Sequence, residues 1–157
     1  MLKLTKVLTG ITMAVLVFLL IALYGAVLQV RLVSFEAVSA AETPERFNQL
    51  YAAARRDDMG SDLYKRPASE DAADYNLITI TLQVKNAGVL PAEWLSFQLS
   101  PLPGDVALFA GEATDIGPFG DRTITITLLS EAEAETGRRE VWAEYYVFGR
   151  KMNVAAR

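Results

Sequence analysis

The sequence predicts an all-β chain, an antiparallel β-sandwich with one short amphipathic helix, preceded by a single transmembrane helix. Three observations predict it. Residues Val7 to Val30 make a run of 24 positions without a charge, and every acidic residue lies after that run. From Tyr75 onward, short stretches alternate apolar and polar residues with the period of two that a half-buried strand requires. Turn-forming clusters, Asn86-Ala87-Gly88, Pro101-Leu102-Pro103-Gly104 and Gly117-Pro118-Phe119-Gly120, separate those stretches.

The apolar run, residues 7–30, is long enough to span a bilayer. As a helix it rises roughly 36 Å against a hydrocarbon core of about 30 Å. Thr9, Thr12 and Gln29 are its clearly polar side chains and do not line up as a face, so lipid on all sides suits it better than a water-facing stripe. Lys3 and Lys6 precede it, which places residues 1–6 in the cytoplasm and the domain, residues 31–157, outside the cell membrane. A cleaved signal peptide is the rival, with small residues at Val38-Ser39-Ala40 before Ala41. The run is too long for a signal core, and Arg31 and Glu36 stand between it and that site, so a retained anchor is expected. Gly10 with Ala14, and Ala22 with Ala26, would admit a second helix, but such pairs are common in alanine-rich spans.

All 19 acids but only 12 of the 15 bases follow Arg31, giving that part a formal charge of −7. Nucleic acid needs a basic footprint and is not an expected partner. With no cysteine and no histidine, thiol nucleophiles, thiolate metal sites, disulfides and the commonest general base are excluded. No cofactor, metal or catalytic residue is expected.

After the span, Val33, Phe35 and Ala37 alternate with Ser34 and Glu36 as a strand. Thr43-Pro44-Glu45 reads as an N-cap, a proline in the first turn and an acid beside it, opening an amphipathic helix over residues 44–56 with Phe47, Leu50, Tyr51 and Ala54 on one face. Residues 57–74 read as a polar loop. Ile78, Ile80, Leu82 and Val84 then alternate with Thr79, Thr81, Gln83 and Lys85. Leu95, Phe97 and Leu99 oppose Trp94, Ser96 and Gln98, and strands follow over 106–110, 122–129 and 139–148, with an edge at 151–155. Six or seven short strands at such intervals are the one-dimensional image of an immunoglobulin-like sandwich.

The stretch Ile80-Thr81-Leu82-Gln83-Val84-Lys85-Asn86-Ala87-Gly88, then Ile116-Gly117-Pro118 before Thr123-Ile124-Thr125-Ile126-Thr127-Leu128, then the closing strand Val141 to Val147, resembles the CARDB and related bacterial immunoglobulin-like or fibronectin-like adhesion modules. In those modules a V-K-N-x-G turn ends the second strand. The resemblance covers about half the chain and implies a noncatalytic spacer or binding module. This chain departs from the family by carrying one copy directly on an anchor and by inserting residues 43–74.

Two sets of residues are candidate sites. Asp57, Asp58 and Asp62, or Asp105, Glu112, Asp115 and Asp121, would have to converge to hold a cation, and the calcium-loop spacing is missing. In the last strand, Trp142, Tyr146 and Phe148 form an outer row if Val141, Ala143, Tyr145 and Val147 face the core. Either that row docks a partner protein or glycan, or the helix 44–56 covers it with Phe47, Leu50 and Tyr51. The cover is preferred because both surfaces are apolar.

The expected function is a membrane-anchored interaction or accessory module of a bacterial cell envelope, with the lipid bilayer and another membrane or envelope protein as partners. A subunit of a surface filament or secretion complex is the alternative, although the glutamate of a type IV pilin helix is missing. A glycan-processing enzyme using paired loop acids ranks last.

Overall fold

The computed structural model describes residues 2–56, 61–134, 137 and 139–157. A helix, α1 (Leu2–Tyr24), leads into strand β1 (Leu28–Ser39) and a second helix, α2 (Pro44–Arg56). Strands β2 (Ser61–Leu63), β3 (Tyr75–Asn86), β4 (Ala92–Leu99), β5 (Asp105–Phe109), β6 (Thr114–Ile116), β7 (Asp121–Glu131), β8 (Val141–Val147) and β9 (Arg150–Ala155) follow. They form two antiparallel sheets, β1-β3-β7-β5-β2 and β6-β4-β8-β9. The chain is a mostly-β sandwich.

The main core lies between the sheets. Ile78, Ile80, Leu82 and Val84 of β3 meet Leu95, Phe97 and Leu99 of β4 and Val141, Ala143 and Tyr145 of β8, while Ile126 and Leu128 come from β7. All are buried, and their alternation with polar neighbours is what the sequence predicts. A second, smaller cluster lies on the outer face of the five-stranded sheet, where Phe47 and Ala54 of α2 pack with Tyr75, Leu77, Val106, Ala107 and Leu129. Phe47 stacks on Tyr75 with ring centroids 5.5 Å apart, and Tyr51 meets Tyr75 edge-on at 6.4 Å.

Several expectations are corrected here. The helix does not run to Val30: α1 ends at Tyr24, and Ala26, Leu28 and Val30 are buried in the sandwich with Gln29 and Arg31 facing out. Among the described residues no helix is long and apolar enough to cross a membrane. The side chains described on α1 are those of residues 5–21, exposed up to Leu20, a length of about 26 Å. In β1 a bulge inserts Val33 between the Leu32–Leu82 and Ser34–Thr81 pairs, so Val33 is 59% exposed instead of facing the core. The helix 44–56 has the expected bounds, but its cap differs. The Thr43 carbonyl accepts the Phe47 N–H at 3.0 Å, while the Thr43 hydroxyl is buried without a hydrogen-bond partner. The loop 57–74 contains β2, whose residues Ser61 to Leu63 pair with Phe109 to Ala107.

Candidate functional site

The end of the sandwich from which α1 emerges is built around one side chain, Asn86. It closes β3 and is fully buried. Its Oδ1 accepts the Gly88 N–H at 2.9 Å and the Val27 N–H at 3.3 Å. Its Nδ2 donates to the carbonyls of Leu90 at 2.7 Å, Gly117 at 3.1 Å and Ile116 at 3.3 Å. One amide thereby joins the α1–β1 junction, the β3–β4 turn and the β6–β7 turn through backbone groups of all three.

The junction itself is tight. The Leu90 N–H donates to the Gly25 carbonyl, and the Ala87 N–H donates to the Val27 carbonyl at 2.8 Å. A Cβ on Gly88 would stand 2.3 Å from the Gly25 oxygen and 2.6 Å from the Ala26 Cα, so backbone meets backbone there and only glycine fits. Three residues separate α1 from β1, which leaves no slack for a linker.

Around this joint stand three aromatic side chains in backbone conformations that normally belong to glycine. Trp94, Phe119 and Phe148 have φ of 53°, 56° and 50°, and are 70%, 67% and 69% exposed. Trp94 sits in the bulge of β4, where two residues fall between Ala92 and Leu95 against one between Ile116 and Thr114, and its N–H donates to Asp115 Oδ1 at 2.8 Å. Phe119 occupies the third position of the Gly117–Gly120 turn, closed by Gly120 N–H to Gly117 O at 3.0 Å with Pro118 before it, the place a type II turn reserves for glycine. Phe148 and Gly149 form the two-residue β8–β9 hairpin with positive φ at both, where Asn-Gly is the favoured pair. Each aromatic costs on the order of 1 kcal/mol in backbone strain. Replacing Phe148 by Asn is expected to raise stability by roughly 0.5–1 kcal/mol, read as a higher Tm of the detergent-solubilised chain.

The outer row predicted for the last strand is only partly formed. Trp142 and Tyr146 do lie on the outer face of β8, but Phe148 is past the end of the strand in the hairpin. Trp142 is half-buried and Tyr146 36% exposed. α2 does not cover them. It follows β1 after only Ala40 to Thr43, and so falls on the five-stranded sheet, over Tyr75 and Leu77, away from β8. Polar neighbours hold the row instead. Trp142 Nε1 donates to Gln98 Oε1 at 3.2 Å, Gln98 Nε2 donates to Glu144 Oε2 at 3.0 Å, and Lys151 Nζ lies 2.6 Å from Glu144 Oε1. A cleft of about 510 Å³, lined by Leu32, Phe35, Ile80, Arg139 and Trp142, opens beside this chain of bonds.

Two of these groups respond to alkali. Burial pushes the Tyr145 phenol above its ordinary value, with the Leu28 backbone opposing, and the hydrogen bond to Glu144 raises Lys151. Both shifts favour the protonated form in the fold. Their contribution is complete below the unfolded values of about 10 and is lost as pH rises through the higher folded values. Thermal melts should fall in Tm above about pH 10, and Tyr145→Phe should flatten part of that decline.

The loop acids do not converge. Asp105 pairs with Arg139, Asp115 receives the Trp94 N–H, Asp121 Oδ2 accepts from Gln83 Nε2 at 3.2 Å, and Glu112 is exposed. Among the described residues no cluster of acids is arranged to hold a metal. Asp57, Asp58 and Gly60 lie outside the described residues. The buried ion pair was not visible in the sequence: Arg139 Nη2 and Nε donate to Asp105 Oδ1 at 2.8 Å and Oδ2 at 3.1 Å, with both side chains fully buried.

No family model matches the chain, and no curated protein does. Among solved structures it is similar to an uncharacterised β-sandwich protein from Clostridium difficile 630, with 10% identity and a TM-score of 0.37 over 83% of this chain and 88% of that one.

Proposed function

We propose that this chain is a noncatalytic interaction or accessory module of a bacterial cell envelope, anchored in the membrane by its N-terminal helix with the sandwich outside. The observation that carries the reading is the unbroken exposure of apolar side chains on α1, from Val7 to Leu20, on a helix whose described side chains enter neither core. Water is a poor solvent for such a surface, and lipid a good one. α1 ends at Tyr24, so the lipid-facing segment stops short of Val30, and its exposed apolar side chains run from Val7 to Leu20. Cleavage after Ala40 would remove β1, which pairs with β3 from Leu28 to Ser39 and buries Leu28 and Val30, and this favours a retained helix over a signal peptide.

Strands β1-β3-β7-β5 against β4-β8-β9 run in the order of the two sheets of an immunoglobulin-like sandwich, with β2 and β6 added at the edges. The turn Val84-Lys85-Asn86-Ala87-Gly88, on which the likeness to CARDB-like modules rests, has a structural purpose in this chain, since Asn86 knits three loops at one end. With no linker after α1, the domain works close to the bilayer, and its partner is another membrane or envelope protein.

The test is expression of the full chain in bacterial cells, followed by carbonate extraction and protease treatment of spheroplasts. The proposal expects the chain in the membrane pellet and the sandwich accessible from outside. Release by carbonate would overturn the anchor. A ladder of crosslinked multimers in intact cells would favour the filament subunit instead.

A further inference from the structure

We propose that Trp94, Phe119 and Phe148 form an interfacial rim that seats the α1-proximal end of the sandwich in the lipid headgroup layer; this rests on α1 lying in the same bilayer. The three side chains come from three separate loops and strand ends, yet topology brings them to one end. β4 starts there at Ala92, β6 ends there at Ile116 opposite Ala92, and β8 ends there opposite Glu93. That is also where the helix leaves. The Phe119 N–H donates to the Gly88 carbonyl at 3.3 Å, and Gly88 is the residue packed against Gly25. Val89, 53% exposed, lies in the intervening turn.

The sandwich gains nothing evident from these residues. Each occupies a glycine-type conformation and leaves about two thirds of its surface exposed. Strain retained without packing in return points to a use outside the fold. Trp favours the headgroup region, where its apolar body and its N–H are both satisfied, and Phe rings insert beside it at the boundary with the acyl chains. Arg150, exposed next to the Phe148-Gly149 hairpin, adds a cation suited to lipid phosphates. A short junction completes the argument, because a domain tied within three residues of its helix cannot lift this end far from the membrane.

The chain has two tryptophans, so Trp142→Phe leaves Trp94 as the sole indole. The full-length W142F chain is reconstituted into phosphatidylcholine–phosphatidylglycerol vesicles, and its emission is compared with and without brominated acyl chains. Trp94 should be blue-shifted and quenched roughly two-fold or more, and Phe119→Gly with Phe148→Asn should reduce that quenching. The W94F chain should show Trp142 nearly unquenched. Should W142F fail to fold, the difference between wild-type and W94F spectra reads the same indole. Flotation of the vesicles separates the two ideas. A chain that does not float overturns both anchor and rim, whereas a chain that floats with Trp94 unquenched overturns the rim alone and leaves these aromatics facing a protein partner.

Discussion

Replacing Arg139 with Met is expected to destabilise the domain by about 3–5 kcal/mol, because it strands the Asp105 carboxylate in the interior. Both side chains are fully buried, and the guanidinium engages both carboxylate oxygens while also donating to the Gly137 carbonyl. Asp105 Oδ2 in turn accepts the Leu102 N–H at 2.7 Å, so the pair closes the Pro101–Gly104 corner onto the segment before β8. Against a total stability of roughly 5–15 kcal/mol for a domain of this kind, the loss is a third or more. Thermal melts should show a fall in Tm of about 10 °C or more. The double variant Asp105→Leu with Arg139→Met removes both charges together and should recover most of the loss. A double variant no more stable than the single one would mean that the hydrogen bonds to the corner, not the stranded charge, carry the cost.

Asn86→Ala is expected to cost about 2–4 kcal/mol, and to loosen the joint between helix and sandwich as well. The amide accepts from the N–H groups of Val27 and Gly88 and donates to the carbonyls of Leu90, Ile116 and Gly117, and the bonds to Gly88 and Ile116 lie in the interior, where water cannot replace them. Asn86→Asp keeps the acceptor and loses the donor, so it should retain the Gly88 and Val27 bonds while repelling three carbonyls, and it should be at least as damaging as alanine. Hydrogen exchange distinguishes this from general weakening. The amides of Ala87, Gly88, Leu90 and Gly120 should lose protection well before those of Leu77 to Leu82 in mid-strand. Uniform loss along β3 would argue that Asn86 does no more than fill space.

Much of the sandwich was legible because its central strands obey the simplest rule. Ile78 to Val84 of β3 and Thr123 to Leu128 of β7 alternate apolar and polar residues, whereas Leu77 and Leu129 break the period and face the second cluster beneath α2. α2 was equally clear, since Pro44 fixes its start and Phe47, Leu50, Tyr51 and Ala54 its face. The end of α1 was not, because Ala26, Leu28 and Val30 are apolar whether lipid or a protein core receives them. The decisive signal was the pairing of Gln29 and Arg31 with them in a period of two, after Gly25 had broken the helix. β2 and β6, three residues each, are too short to show any period.

The candidate site was legible only in pieces. The turns at Asn86-Ala87-Gly88 and Gly117-Pro118-Phe119-Gly120 were visible as turns, and Phe148 as an outward aromatic. That Asn86 binds both turns depends on an inward side chain, and that Trp94, Phe119 and Phe148 share a backbone class depends on dihedral angles. Neither follows from residue type. The pairing of Asp105 with Arg139, 34 positions apart, likewise emerges only once β5 and the segment before β8 are brought together.

The account stands on α1 remaining joined to the sandwich and buried in lipid. The most direct measurement is mass spectrometry of the chain recovered from a carbonate-washed membrane pellet. Peptides of residues 7–21 should be recovered from the same intact polypeptide as those of β8 and β9. A species beginning at Ala41, or the sandwich in the wash or the culture medium without those N-terminal peptides, would contradict it.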